Sequence, residues 1–210
     1  KGNQPPSILS FVKDLPNLVS LASLFCAMLG MYFSVLHIYS AAMIGLLWAV
    51  LFDWVDGRIS RRMKTRSDEQ RNFGVQIDSL IDMISFGACP AILLLSYGQF
   101  DPWFIPGAFA IVVAISLRLS YFNIFGLDSK STYLGLAADN NVIIIALLFL
   151  IEGQVPPEVF AKLLYAAILV LAALHVAPIR TPKLTGRWIY VITLYVISLT
   201  AIYSVRLLGE

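Results

Sequence analysis

The sequence predicts an all-α membrane protein: a polytopic bundle of about seven transmembrane spans, preceded by a short interfacial helix. Three observations carry that expectation. The 210 residues are 59% hydrophobic and only 13% charged, roughly half the charge share of a soluble domain. The mean hydropathy is +0.79. The apolar residues fall into blocks of about 20, the length that crosses a bilayer as helix, whereas a membrane barrel would alternate polar and apolar positions.

Each element follows from where apolar blocks meet breakers. Residues 5–14 form a mixed segment ahead of Pro16 and read as a helix lying on the membrane surface. The expected spans are 18–36, 39–62, 72–96, 103–125, 134–151, 158–177 and 187–207. Turn-forming clusters fill the gaps, among them "YGQFDP" (97–102), "EGQVPP" (152–157) and "APIRTPKLTG" (177–186). An eighth span would lie beyond residue 210. The whole chain, 1–210, reads as one membrane domain. It begins with Lys rather than Met and shows no signal peptide, as a trimmed sequence would.

Charge orients the spans. The loop after the second span carries Arg58, Arg61, Arg62, Lys64, Arg66 and Arg71, and later loops on that side carry Lys130, Arg180, Lys183 and Arg187. The opposite loops carry His37, Asp101, Glu152 and Glu158, with Lys162 nearby. The positive-inside rule places the basic side in the cytoplasm. The net charge of +2 gives no reason to expect a nucleic-acid partner. Cys26 and Cys89 are far apart in apolar blocks and read as packing residues.

Five of the thirteen acids sit in or at the edge of spans: Asp53, Asp56, Asp78, Asp82 and Asp139. A carboxylate at the bilayer centre costs about 2.5–3.5 kcal/mol on insertion scales, so such residues face a cavity or a partner. Asp53 and Asp56 are spaced i, i+3; Asp78 and Asp82 are spaced i, i+4. Each pair shares a helix face. The two spans are consecutive and antiparallel, so four carboxylates can converge near the cytoplasmic surface. Unless cations sit between them or some are protonated, they repel. An all-oxygen set suits hard ions such as Mg²⁺, Mn²⁺ or Ca²⁺ rather than zinc. Gly57 and Gly74 would give a ligand or a neighbouring backbone close approach. Arg61, just past Gly57, is placed where a phosphate needs a cation. Two divalent ions flanked by arginine suit a pyrophosphate.

The stretch D53-WV-D56-G57-RI-S60-R61 followed by G74-VQI-D78-SLI-D82 resembles the signature of the CDP-alcohol phosphotransferases, D-x2-D-G-x2-A-R … G-x3-D-x3-D, at seven of eight positions. The resemblance covers the first four spans and fades after about residue 125. It departs at Ser60, where alanine is usual, and in the twelve-residue spacer between Arg61 and Gly74, with "RSDEQRN" (66–72) as the expected insertion. The resemblance implies that Asp53, Asp56, Asp78 and Asp82 hold two Mg²⁺ or Mn²⁺ ions and that Asp82 is the general base. It implies CDP contacts from Asp56, Gly57, Ser60, Arg61, Thr65 and Gly74. It implies attack of an alcohol hydroxyl on a CDP-linked lipid, CDP-diacylglycerol, with loss of CMP, and a homodimer in the membrane.

"DSLIDMISFGACPA" (78–91) and "LRLSYFN" (117–123) are similar to the phosphatidylserine synthase branch, so the expected acceptor is L-serine, with choline or another polar alcohol as the alternative. Arg118 could meet an anionic headgroup or simply snorkel to the interface. Asp139, with Asn140, could meet the acceptor's ammonium, or could only bond to Asn140, Asn141 or a neighbouring span. Tyr121 and Tyr133 could instead box a choline. Outside the enzyme class, a cation or proton transporter would also use intramembrane acids, but it gains nothing from arginine at the mouth. A structural role for buried pairs would need more basic partners within the spans.

Overall fold

A computed structural model of the chain describes residues 7–126, 132–182, 184 and 186–209. Lys130 and Lys183, used above to orient the spans, lie outside the described residues, as do the first two residues of the expected interfacial segment.

Eight α-helices account for nearly all of the described chain: α1 (Leu15–Val35), α2 (Tyr39–Arg62), α3 (Asp68–Asp82), α4 (Cys89–Tyr97), α5 (Ile105–Phe125), α6 (Asn140–Leu148), α7 (Pro157–Val176) and α8 (Trp188–Gly209). A π-helical turn, Met83–Ala88, joins α3 to α4, so 68–97 forms one 30-residue apolar element. Six elements are long and apolar enough to cross a membrane. The expected interfacial helix is a 3₁₀ segment, Ile8–Lys13, that leads into α1.

Two sequence expectations are corrected. The fifth span, drawn as a full helix over 134–151, is a helix only over 140–151. At 1.5 Å per residue that is about 18 Å, too short to cross by itself. The residues ahead of it, 132–139, are non-helical. A two-stranded antiparallel ladder pairs β1 (Thr132–Leu134) with β2 (Arg180–Pro182). Beyond it, the Gly135 amide donates to Ile179 O (2.8 Å) and the Leu136 amide to Leu174 O (3.0 Å). Non-helical backbone survives at membrane depth only where neighbouring chain satisfies it, and the end of α7 with the residues just after it does that here. The carbonyls at the far end of α6 are also satisfied: Tyr203 Oη donates to Ala146 O (2.5 Å) and the Arg206 guanidinium to the Phe149 and Leu150 carbonyls. Second, the third span, drawn from residue 72, begins at Asp68, inside "RSDEQRN". Ser67 caps α3, accepting from the Gln70 amide (3.2 Å) while Gln70 Oε1 accepts from the Ser67 amide (2.9 Å). This capping box starts α3 at Asp68.

The site is positioned by α1, α2 and α3. The buried face of α1 is Asn17, Ser20, Ser23, Ala27, Gly30 and Ser34, spaced three or four apart. Small residues let α2 approach closely. A Cβ on Gly45 would stand 2.8 Å from Cys26 O and Gly30 N. Ser23 Oγ donates to Ala49 O at 2.8 Å. At the opposite end of the bundle, Tyr39, Tyr97, Phe149 and Phe160 pack as one aromatic cluster, with ring centroids 4.8–5.8 Å apart. Asp53 lies 14 residues along α2 from Tyr39, Asp82 15 residues before Tyr97, and Asp139 12 residues before Ile151. Helices of similar rise therefore deliver all three acids to one level.

Candidate active site

Helix α2 presents Asp53 and Asp56 from its second half, and α3 presents Asp78 and Asp82 on one face. Carboxylate oxygens of Asp53, Asp78 and Asp82 all lie within 4.8 Å of one another. The three side chains are half-buried. Asp56 stands beside this trio; its Oδ2 accepts from Ser20 Oγ at 2.5 Å, and it is buried. Three carboxylate oxygens this close fit a hard divalent cation, since without one their mutual repulsion in a shielded site would be severe.

The acids line a cavity of about 410 Å³. Its walls include Gly57, Arg61, Arg118, Asn123, Asp139, Asn140, Thr181 and Pro182. A second cavity of about 500 Å³ lies on the α1 side, lined by Asn17, Ser20, Ser60, Lys64, Arg66 and Gly74. Asp56, Gly57, Arg61 and Asp78 line both. Thus the structure divides the sequence-selected residues into two groups around one set of acids. Arg118, Asp139 and Asn140 stand on one side; Ser60 and Gly74 stand on the other. Thr65 joins neither: it is exposed on the loop between α2 and α3.

The acceptor-side candidates are not free surface groups. Arg118 is buried, and its Nε donates to Leu136 O at 2.7 Å, so the snorkelling alternative does not hold. Asp139 Oδ2 accepts from Trp54 Nε1 on α2 at 2.7 Å, the bond to a neighbouring span that was the alternative to an acceptor role. Asn140 Nδ2 turns back to Ala137 O (3.2 Å). Asn141 donates to Phe86 O in the π-helical turn (2.8 Å) and meets His175 Nε2 (2.5 Å), while His175 Nδ1 bonds Leu136 O (3.0 Å). His175 therefore braces the backbone that carries Ala137–Asp139. Tyr121 is exposed and packs on Phe125 at 4.5 Å, off the cavity wall. The side chain of Tyr133 lies outside the described residues.

Several site residues escaped the sequence reading. Ser20 and Asn17 looked like ordinary polar residues of an apolar span, although their i, i+3 spacing along the small-residue face of α1 was a usable signal. Trp54 sits between two signature acids, at a position the motif leaves unspecified. Thr181 and Pro182 arrive through the β1–β2 ladder, which has no local sequence signature.

Comparison with known proteins agrees with this geometry. A family model described as CDP-alcohol phosphatidyltransferase matches residues 13–204, well past residue 125 where the signature resemblance fades. Archaetidylserine synthase of Methanothermobacter thermautotrophicus is 41% identical over 118 residues, 56% of this chain and 49% of that protein. CDP-diacylglycerol–serine O-phosphatidyltransferase of Helicobacter pylori is 25% identical over 203 residues, 92% of this chain and 84% of that protein. The Bacillus subtilis protein of the same name is 28% identical over 112 residues, 52% of this chain and 61% of its own length. The matched stretch thus spans about half of the archaeal relative and most of the H. pylori one.

Proposed function

The chain belongs to the CDP-alcohol phosphatidyltransferase family, and from that premise we propose that it transfers the phosphatidyl group of CDP-diacylglycerol to the hydroxyl of L-serine. The observation that carries this reading is the trio of Asp53, Asp78 and Asp82 oxygens within 4.8 Å, facing a cavity that also holds Arg118 and Asp139.

Asp53, Asp56, Asp78 and Asp82 would hold two Mg²⁺ or Mn²⁺ ions, which neutralise the pyrophosphate and stabilise the departing phosphate charge. The chain's own residues do the rest. Gly57, Ser60, Arg61 and Gly74 bound the nucleotide side, and Arg61 supplies a fixed positive charge there. Thr65, exposed on the adjoining loop, is at most a rim contact for CDP. Asp82 takes the proton of the serine hydroxyl. The serine oxygen forms a bond to the β-phosphorus, and the bond from that phosphorus to the bridging oxygen breaks. CMP leaves, and a phosphodiester remains in the lipid.

Serine is favoured over choline because the acceptor side carries both signs. Asp139 suits an ammonium and Arg118 a carboxylate, with Asn140 beside them; choline carries no carboxylate to meet Arg118. The relatives named for serine transfer support the same choice. We place the site at the cytoplasmic face, because Arg58, Arg61, Arg62, Lys64, Arg66 and Arg71 flank the acids. We also carry over a homodimer from the family resemblance.

The test is to incubate purified protein with CDP-diacylglycerol, Mn²⁺ or Mg²⁺, and serine, choline, inositol, inositol phosphate or glycerol phosphate in separate reactions. CMP release with serine is expected to exceed the others. Release with choline alone would reassign the acceptor, and silence with every acceptor would reopen the transport reading.

A further inference from the structure

The two departures from the family signature meet in a single contact. Arg66, from the long spacer, donates through Nη1 to the hydroxyl of Ser60, the residue that stands where alanine is usual, at 2.6 Å. Its Nη2 donates to Gln70 O (3.0 Å) and reaches Asn17 Oδ1 (3.4 Å). The same nitrogen pairs with Asp14 Oδ2 at 2.5 Å, and the two side chains are only 4% and 2% exposed. One guanidinium therefore ties the start of α1, the end of α2 and the first turn of α3. Asn17 in turn donates to Phe11 O (2.9 Å), and Phe11 stacks on Phe73 at 4.3 Å, so the 3₁₀ segment is part of the clasp.

Gly74 takes its meaning from this arginine. A Cβ there would stand 2.5 Å from Arg66 Nη2 and 3.2 Å from Asn17 Oδ1. The signature glycine clears space for the guanidinium as well as for a ligand. Asn17, Ser60, Arg66 and Gly74 all line the α1-side cavity, together with Asp56, Gly57 and Asp78.

We propose that Arg66, held by Asp14 and Ser60, is a positioning residue for the nucleotide half of the site, fixing the wall against which the CMP portion of the CDP-lipid binds. The inference rests on the functional reading above. A planar fork bonding three elements sets their relative rotation in a way a point charge cannot. Asp78, one turn past Gly74, moves with that rotation.

The decisive variant is the double substitution Asp14→Leu/Arg66→Met, because replacing both members of a buried pair by apolar residues of similar size is close to neutral for folding. Detergent-purified protein is compared with Ser60→Ala and Arg66→Lys by calorimetric CMP binding in Mg²⁺, by thermal melting, and by KM for each substrate. We expect the double variant to stay folded while CMP affinity falls and the CDP-lipid KM rises, each by about tenfold, the scale of one lost charge-assisted hydrogen bond. The serine KM should stay within about twofold, and Ser60→Ala should shift the CDP-lipid KM in the same direction by less. Unchanged CMP affinity in the folded variants, or an equal rise in both KM values, overturns the inference. If the double variant does not fold, Ser60→Ala and Arg66→Lys decide on the same two readouts. Failure of the unaltered protein to bind CMP would instead overturn the functional reading itself.

Discussion

Trp54 Nε1 donates a 2.7 Å hydrogen bond to Asp139 Oδ2, across 85 residues of sequence. The bond links the helix that carries Asp53 and Asp56 to the short crossing that carries the acceptor-side candidates. Trp54 is thereby more than a spacer between two signature acids.

Trp54→Phe removes that donor and keeps most of the ring. A hydrogen bond to a charged group is worth about 1.5–3 kcal/mol, so the acceptor KM should rise by roughly tenfold or more. The CDP-lipid KM should move little. Asp139→Asn should split the two KM values in the same direction. Steady-state kinetics with each substrate varied in turn checks both, and equal shifts would remove Asp139 from the acceptor pocket.

Asp82→Asn is expected to lower turnover by about 10²–10⁴-fold, the usual contribution of a general base. CDP-lipid binding should stay within a few-fold of the unaltered protein. Equilibrium binding set beside single-turnover rates separates the two. Losses of equal size in binding and turnover would mean that Asp82 serves only to hold the pyrophosphate.

Chelation of divalent ions should abolish CMP release, and Mg²⁺ or Mn²⁺ should restore it. The same ions should raise the melting temperature, because a ligand that binds only the folded state stabilises it by RT ln(1 + [L]/Kd). Asp53→Asn should flatten that dependence, since its carboxylate is one of three gathered within 4.8 Å. A melting temperature indifferent to Mg²⁺ in the unaltered protein would argue against ions held by the quartet.

Gly45→Ala tests the α1–α2 contact that supports the site. Its Cβ would fall 2.8 Å from backbone atoms of Cys26 and Gly30, where nothing can swing aside. Overpacking of this kind costs about 1–3 kcal/mol, so a fall in melting temperature is expected, read by thermal unfolding in detergent. An unchanged melting temperature would show that the helices can separate freely.

Six of the seven expected spans were legible in the sequence because each is a long apolar block with breakers at both ends. The α2 boundaries, 39 and 62, agree with the sequence to the residue. The fifth crossing was misread as a full helix because composition alone cannot tell an apolar helix from apolar backbone satisfied by a neighbour. Gly135 holds a φ of +79° and accepts through its carbonyl from Thr181 Oγ1 (2.6 Å), contacts that depend on a segment 46 residues away.

By itself, the sequence determined that four aspartates on consecutive helices share facing surfaces, since helical periodicity and an antiparallel connection leave little else. It also pointed to the family, because the spacing of acids, glycines and arginine matches one family's signature. Only the tertiary structure decided what surrounds those acids. Ser20 on Asp56, Trp54 on Asp139 and Arg66 between Asp14 and Ser60 are contacts between segments remote in sequence. Such pairings are fixed by how the helices rotate and pack against each other, and local periodicity carries no record of that.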